Sequence, residues 1–334
     1  MKNASPEQRS TNSSSTAVVY AALIGDILVA ISKVGAAIWT GSAAMTSEAI
    51  HSIVDTTNEI LLLYGIHRSR QKPDTDHPFG HGRELYFWSF VVSLLIFALG
   101  AGFSIYEGIY RILYPTPIQS PVVSYIVLAS AFLLEGGSWL YSLRQFRRAK
   151  GDLGFFKAFT LSKDPPSFMT LFEDSVALVG ILIAAVATVA AVALRRPEFD
   201  GAGSIAIGLI LAATSVFLAR ESKSLLMGEQ AYPSIRNSIL SLANTQSGCL
   251  SANGLFTVQL GPAQVVAMLS LEFSDVLLAP QIEEAVIELE KKVREKNPEI
   301  VALFVKPQTA KTFQDQRERA LGEAPPEQNP SIPG

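Results

Sequence analysis

The chain is poor in cysteine, histidine and charge. Cys249 is its only cysteine, which excludes an internal disulfide and a cysteine-rich metal site. It has only four histidines, and all lie between residues 51 and 81: His51, His67, His77 and His81. That is too few for a membrane di-iron enzyme, and there is no H-E-x-x-H zinc-protease motif. Charged residues make up 17% of the chain against 49% hydrophobic. With a mean hydropathy of +0.28 this is too apolar for an ordinary soluble protein of 334 residues. The net charge of -3 gives no case for nucleic acid. Residues 1–16, rich in Ser, Thr and Asn, lack the layout of a cleavable signal peptide. They are expected to be a disordered tail, with the first apolar run serving as an uncleaved insertion signal.

The apolarity before residue 228 falls in long runs, and a run of about 20 residues spans a bilayer as a helix. Six spans are predicted over 17–40, 43–66, 84–112, 121–143, 166–194 and 201–219, within a membrane domain covering 17–222. The 67–83 loop, the 144–165 joint and the segment after 220 hold most of the Lys and Arg near the membrane; the opposite joints hold only Arg111, Arg195 and Arg196. The positive-inside rule then puts both termini in the cytoplasm, or in the matrix of an organelle.

After Gly228 the pattern changes. A helix over 233–243, alternating strands over 254–260 and 265–273, an amphipathic helix over 280–296 and a strand over 299–305 predict a small cytoplasmic α/β domain, αββαβ and ferredoxin-like, over 229–308. A domain of this size gains from dimerisation. Residues 309–334 are polar and Pro-rich and are expected to be disordered.

His51 and Asp55 sit four apart, on one face of an apolar helix, and Glu48 lies close to the same face. Ionisable groups inside a membrane are functional candidates, with mutual pairing as the plain alternative. A neutral imidazole and a carboxylate suit Zn²⁺, but a tetrahedral site needs more ligands. The fifth span offers Thr170, Glu173 and Asp174. Thr170 and Asp174 share a face; Glu173 is about 100° from Asp174 on a helix, and reads equally as an interfacial carboxylate. In the loop, Asp74, His77 and His81 could hold a second ion or form a polar turn with glycine hinges. Among Asp26, Lys33 and Glu135, an ion pair across helices, for example Lys33 with Glu135, is expected, with proton handling as the alternative.

The stretch from Ala43 to Glu84, with SEAIHSIVDT and HPFGHGR, resembles the cation diffusion facilitator family of metal–proton antiporters, and the likeness extends over residues 17 to about 306. The branch it looks nearest to includes a mitochondrial zinc exporter and bacterial relatives. The resemblance implies a homodimer working by alternating access, with two ligands from the second span and two from the fifth. The second-span pair maps to His51 and Asp55. The fifth-span pair should be His and Asp four apart; here Asp174 stands with Thr170 in the histidine position, so Thr170, Glu173 or water completes the set. An oxygen-rich set lowers selectivity for Zn²⁺ over Mn²⁺ or Fe²⁺. Asp74, His77 and His81 fall on the family's interfacial metal site. Asn253, Ser270 and Lys306 stand where other members place ligands, so the C-terminal domain is expected to dimerise without binding zinc.

The expected function is export of a divalent cation, most simply Zn²⁺, in exchange for protons, with His51 as the proton-coupling group. The protein is expected to be a transporter and not an enzyme, with no cofactor beyond the transported ion. Its partners are metal ions, protons, lipid and a second copy of itself, in a bacterial or mitochondrial inner membrane. The alternatives are a Mn²⁺ or Fe²⁺ transporter of the same fold, or a proton-coupled carrier of a non-metal solute.

Overall fold

The structure, a computed structural model, describes residues 25–150, 154 and 162–321. The expected tails 1–16 and 322–334 and most of the 151–161 joint lie outside the described residues. The chain divides into two compact units: residues 1–71 with 84–224, and residues 72–83 with 225–334.

The first unit is helical: α1 (25–40), α2 (Ala43–Ser69), α3 (Arg83–Leu113), α4 (Pro121–Lys150), α5 (Pro165–Ala193) and α6 (Glu198–Met227). Three of the starts have a local cause. Pro121 opens α4, and Pro165 occupies the first turn of α5, where its missing N–H costs nothing. The α1–α2 turn needs only two residues because Gly41 takes a positive φ of 63°. Ser42 then caps α2 by accepting from the Met45 N–H at 3.1 Å. Asp200 of α6 adds a second cap from outside the helix: it accepts from Ser42 Oγ at 2.6 Å and from the Ala43 N–H.

Among the described residues, four helices are long and apolar enough to cross a membrane: α3, α4 over Pro121–Arg144, α5 over Phe168–Ala193, and α6. Helix α2 has 27 residues, about 40 Å of rise, but carries Glu48, His51, Asp55, Asn58 and Glu59. Helix α1 is described only from residue 25. Helix α3 loosens into a π turn over Ile96–Ala101. It packs closely on α6, where a Cβ on Gly108 or Gly201 would strike the opposing backbone. Large apolar side chains such as Phe97, Leu99, Tyr106, Leu133, Val186 and Val216 point outward, the pattern of a surface solvated by lipid.

The second unit runs α7 (Pro233–Asn244), β1 (Cys249–Gly261), β2 (Gln264–Phe273), α8 (Ala279–Lys296), β3 (Ile300–Pro307) and α9 (Ala310–Leu321). The sheet order is β1-β2-β3, with β1 antiparallel and β3 parallel to the central strand. Val265, Ala267, Leu269, Leu271 and Phe273 alternate along β2 onto one face and form a core with Ile235, Ile239, Leu289 and Val293 from the helices.

The strand and helix order matches that read from the sequence, but the tail differs. Residues 310–321 were expected to be disordered and form α9 instead. Thr309 caps it, accepting from the Thr312 N–H at 3.3 Å, and the Phe313 ring packs on Phe256 at 5.8 Å. Gly254 makes room, since a Cβ there would collide with the Phe313 ring.

Candidate functional site

Helix α2 packs against both α3 and α5, and α4 packs against α5. This sets the acidic face of α2 opposite the first half of α5. His51 is 2% exposed, and its Nδ1 lies 3.3 Å from Asp55 Oδ1. The two atoms approach without aligning: none of His51 Nδ1, His51 Nε2 and Asp55 Oδ1 has a hydrogen-bond partner among the described residues. Buried polar atoms are rarely left in that condition, so these three are open to a ligand. Asp55 lies within electrostatic reach of Glu173, Glu135 and Asp174.

The two adjacent acids of α5 point to different helices. Glu173, 7% exposed, accepts from Asn58 Nδ2 of α2 at 3.2 Å. Asp174 accepts from Ser138 Oγ at 3.3 Å and Ser142 Oγ at 3.1 Å, both on α4. The roughly 100° between neighbouring positions on a helix makes this division unavoidable. Thr170 is half-buried one turn before Asp174. The structure therefore gathers His51, Asp55 and Glu173 along the α2–α5 contact, while Asp174 is held from the α4 side.

Sequence reasoning anticipated the contact of Lys33 with Glu135, which measures 2.7 Å. It did not anticipate that Glu48 shares the same ammonium at 3.1 Å. It also missed Asn58, and Glu59, which lies beside Asp26 of α1. Glu59 was open to discovery by the rule that singled out His51: it continues the i, i+4 series from Asp55 along a helix otherwise rich in Leu and Ile.

In the second unit the loop brings its three candidates together. The ligand atoms of Asp74, His77 and His81 all lie within 4.8 Å of one another. Asp74 contacts His77 Nδ1 at 3.2 Å and His81 Nε2 at 3.4 Å. The loop closes on itself because Asp74 Oδ1 accepts the N–H groups of His77 at 2.7 Å and Asp76 at 3.0 Å. The His77 N–H, above the other contacts, holds the Asp74 carboxyl below the usual carboxylate range. Gly82 seats the loop on the β1–β2 turn, against Leu260 and Gln264, and Phe79 meets Phe304 edge-on at 6.3 Å. Further along the sheet, Asn253 Nδ2 donates to Ser270 Oγ at 3.2 Å and to the Gln308 carbonyl at 2.7 Å, and Lys306 donates to Gln316.

A bundle of apolar helices with a buried imidazole–carboxylate pair, joined to a small α/β unit, is the architecture of a membrane cation carrier. The family description "Cation efflux transmembrane domain" matches residues 19–227, and the chain belongs to that family, the cation diffusion facilitators, which are integral membrane metal transporters. The human mitochondrial proton-coupled zinc antiporter SLC30A9 is 39% identical over 199 residues, 59% of this chain and 35% of that protein. Metal tolerance protein C4 of Arabidopsis thaliana is 32% identical over 193 residues, 57% of this chain and 42% of that protein. The cation-efflux pump FieF of Cronobacter sakazakii is 25% identical over 285 residues, 82% of this chain and 88% of that protein. The chain thus spans about a third of the length of the human antiporter it matches.

Proposed function

We propose that the protein exports a divalent cation, Zn²⁺ in the first instance, in exchange for protons. The observation that carries the reading is the buried His51–Asp55 pair, close but not hydrogen-bonded, facing the acids of α5. One imidazole nitrogen and carboxylate oxygens make a borderline donor set that suits Zn²⁺ and admits Mn²⁺ or Fe²⁺. The names of the relatives, a proton-coupled zinc antiporter and a cation-efflux pump, support the same class of substrate.

The ion enters from the side of the 67–83 loop and binds His51 and Asp55; Asp174 turns from its two α4 serines to join them, with Glu173 or Thr170 completing the set. Binding requires a neutral imidazole and ionised carboxylates, so protons leave as the metal arrives. Helices then rock to open the opposite side, where protonation of His51 releases the ion. In this reading all of α1 to α6 span the membrane, both termini are cytoplasmic or in the matrix, and the C-terminal domain over 229–308 pairs two protomers without a metal in that stretch. Asp74, His77 and His81 form a separate metal site on the 67–83 loop.

Reconstituted vesicles with a pH gradient test this. Zinc uptake with opposing proton movement is expected, and His51→Asp should weaken the coupling or shift preference toward Mn²⁺. Transport whose rate and pH dependence ignore changes at His51 and Asp55 would favour a non-metal carrier.

A further inference from the structure

Lys33 of α1 is wholly buried, with its Nζ 3.1 Å from Glu48 Oε2 of α2 and 2.7 Å from Glu135 Oε1 of α4. One ammonium faces two carboxylates, and the second oxygen of each, Glu48 Oε1 and Glu135 Oε2, is buried without a hydrogen-bond partner among the described residues. Glu48 is 0% exposed. Its free oxygen is turned toward α5, where Gly180 leaves the room for it, because a Cβ at that position would collide with it. Packing alone is a poor reason for such a group: apolar residues of similar volume serve stability at least as well as a buried ion pair. An unpartnered carboxylate oxygen adds a desolvation cost.

The position is informative. Along α2, Glu48 lies three residues before His51, about 4.5 Å nearer the Thr40–Ser42 turn. Along α5, Gly180 lies six residues beyond Asp174, on the path toward the Ala193 end. The three charges therefore stand between the His51–Asp55 pair and the end of the bundle that carries the Thr40–Ser42 turn.

We propose that Glu48 and Glu135 form a second cation site on the exit side of the transport site, occupied by the Lys33 ammonium in this conformation and by the departing divalent cation once the ammonium swings away. This rests on the reading of His51, Asp55 and Asp174 as the transport site. Lys33 is a tethered stand-in for the exported ion. It keeps the two carboxylates from drawing the metal off His51 too early, and like-charge repulsion drives it aside when a divalent ion approaches. A site of carboxylates alone holds Zn²⁺ more weakly than one with an imidazole, which suits release.

The test is calorimetric titration of the full chain in detergent with Zn²⁺, in a parent carrying Asp74→Ala, His77→Ala and His81→Ala so that the loop contributes nothing. Lys33→Met frees both carboxylates and is expected to add one bound ion per chain to the parent count. Adding Glu48→Gln and Glu135→Gln removes that ion, and Lys33→Arg leaves the parent count unchanged. A folded Lys33→Met chain that gains no ion overturns the inference. The increment alone judges it, whereas a parent that binds no zinc overturns the transport-site reading. If Lys33→Met does not fold, Glu135→Gln in the otherwise unchanged chain decides. It is expected to lower the maximal zinc efflux rate about tenfold with KM unchanged, and an unchanged maximal rate overturns the inference.

Discussion

His51 and Asp55 are one helical turn apart, and their atoms meet at 3.3 Å without a hydrogen bond. Asp55→Asn keeps the shape but removes the charge, so zinc flux in vesicles should fall at least about tenfold. The acids of α5 divide by partner, Glu173 to Asn58 and Asp174 to two serines. If Asp174 is the ligand, Asp174→Asn should cost far more flux than Glu173→Gln, and the reverse order would move the site toward α2. At the loop, Asp74 is held below the usual carboxylate range and so offers an ionised oxygen to a cation at neutral pH. Asp74→Asn should therefore weaken zinc binding at the loop about tenfold or more, read by titration of the full chain. The spacing rule made the His51–Asp55 pair and the Lys33–Glu135 contact legible in the sequence. It could not assign Glu173 and Asp174 to different helices, or give Glu48 its share of Lys33, because the rotation of a helix about its axis is set by packing against its neighbours.

At the level of elements, α2 is the exception among the membrane-length helices, since its polar residues keep it less apolar than α3 to α6. Its start depends on Asp200 as well as Ser42, so Asp200→Ala should lower the stability of the detergent-solubilised protein by about 1–2 kcal/mol, read as a fall in Tm. The core strands of the second unit were legible from period-two alternation, which β2 keeps on its core face from Val265 to Phe273. Helix α9 was not, because its sequence is polar and its aromatic anchor, Phe313, fits because Gly254 leaves a gap two strand residues from Phe256. Phe313→Ala should cost about 1–2 kcal/mol, less than a fully buried Phe, and increase hydrogen exchange in β1; Gly254→Val should do the same by eviction.

For the whole molecule, the match over residues 19–227 fixes the family, while the transported ion follows from the donor set rather than from the fold. The central claim is that one imidazole and several carboxylate oxygens hold the exported ion inside the bundle. X-ray absorption of Zn²⁺ bound to the full chain with Asp74, His77 and His81 changed to Ala tests it most directly. A first shell of nitrogen and oxygen at about 2.0–2.2 Å, with the outer-shell scattering of one imidazole ring that is lost in His51→Ala, is the predicted spectrum. A zinc shell with no imidazole, or one that His51→Ala leaves unchanged, would contradict it.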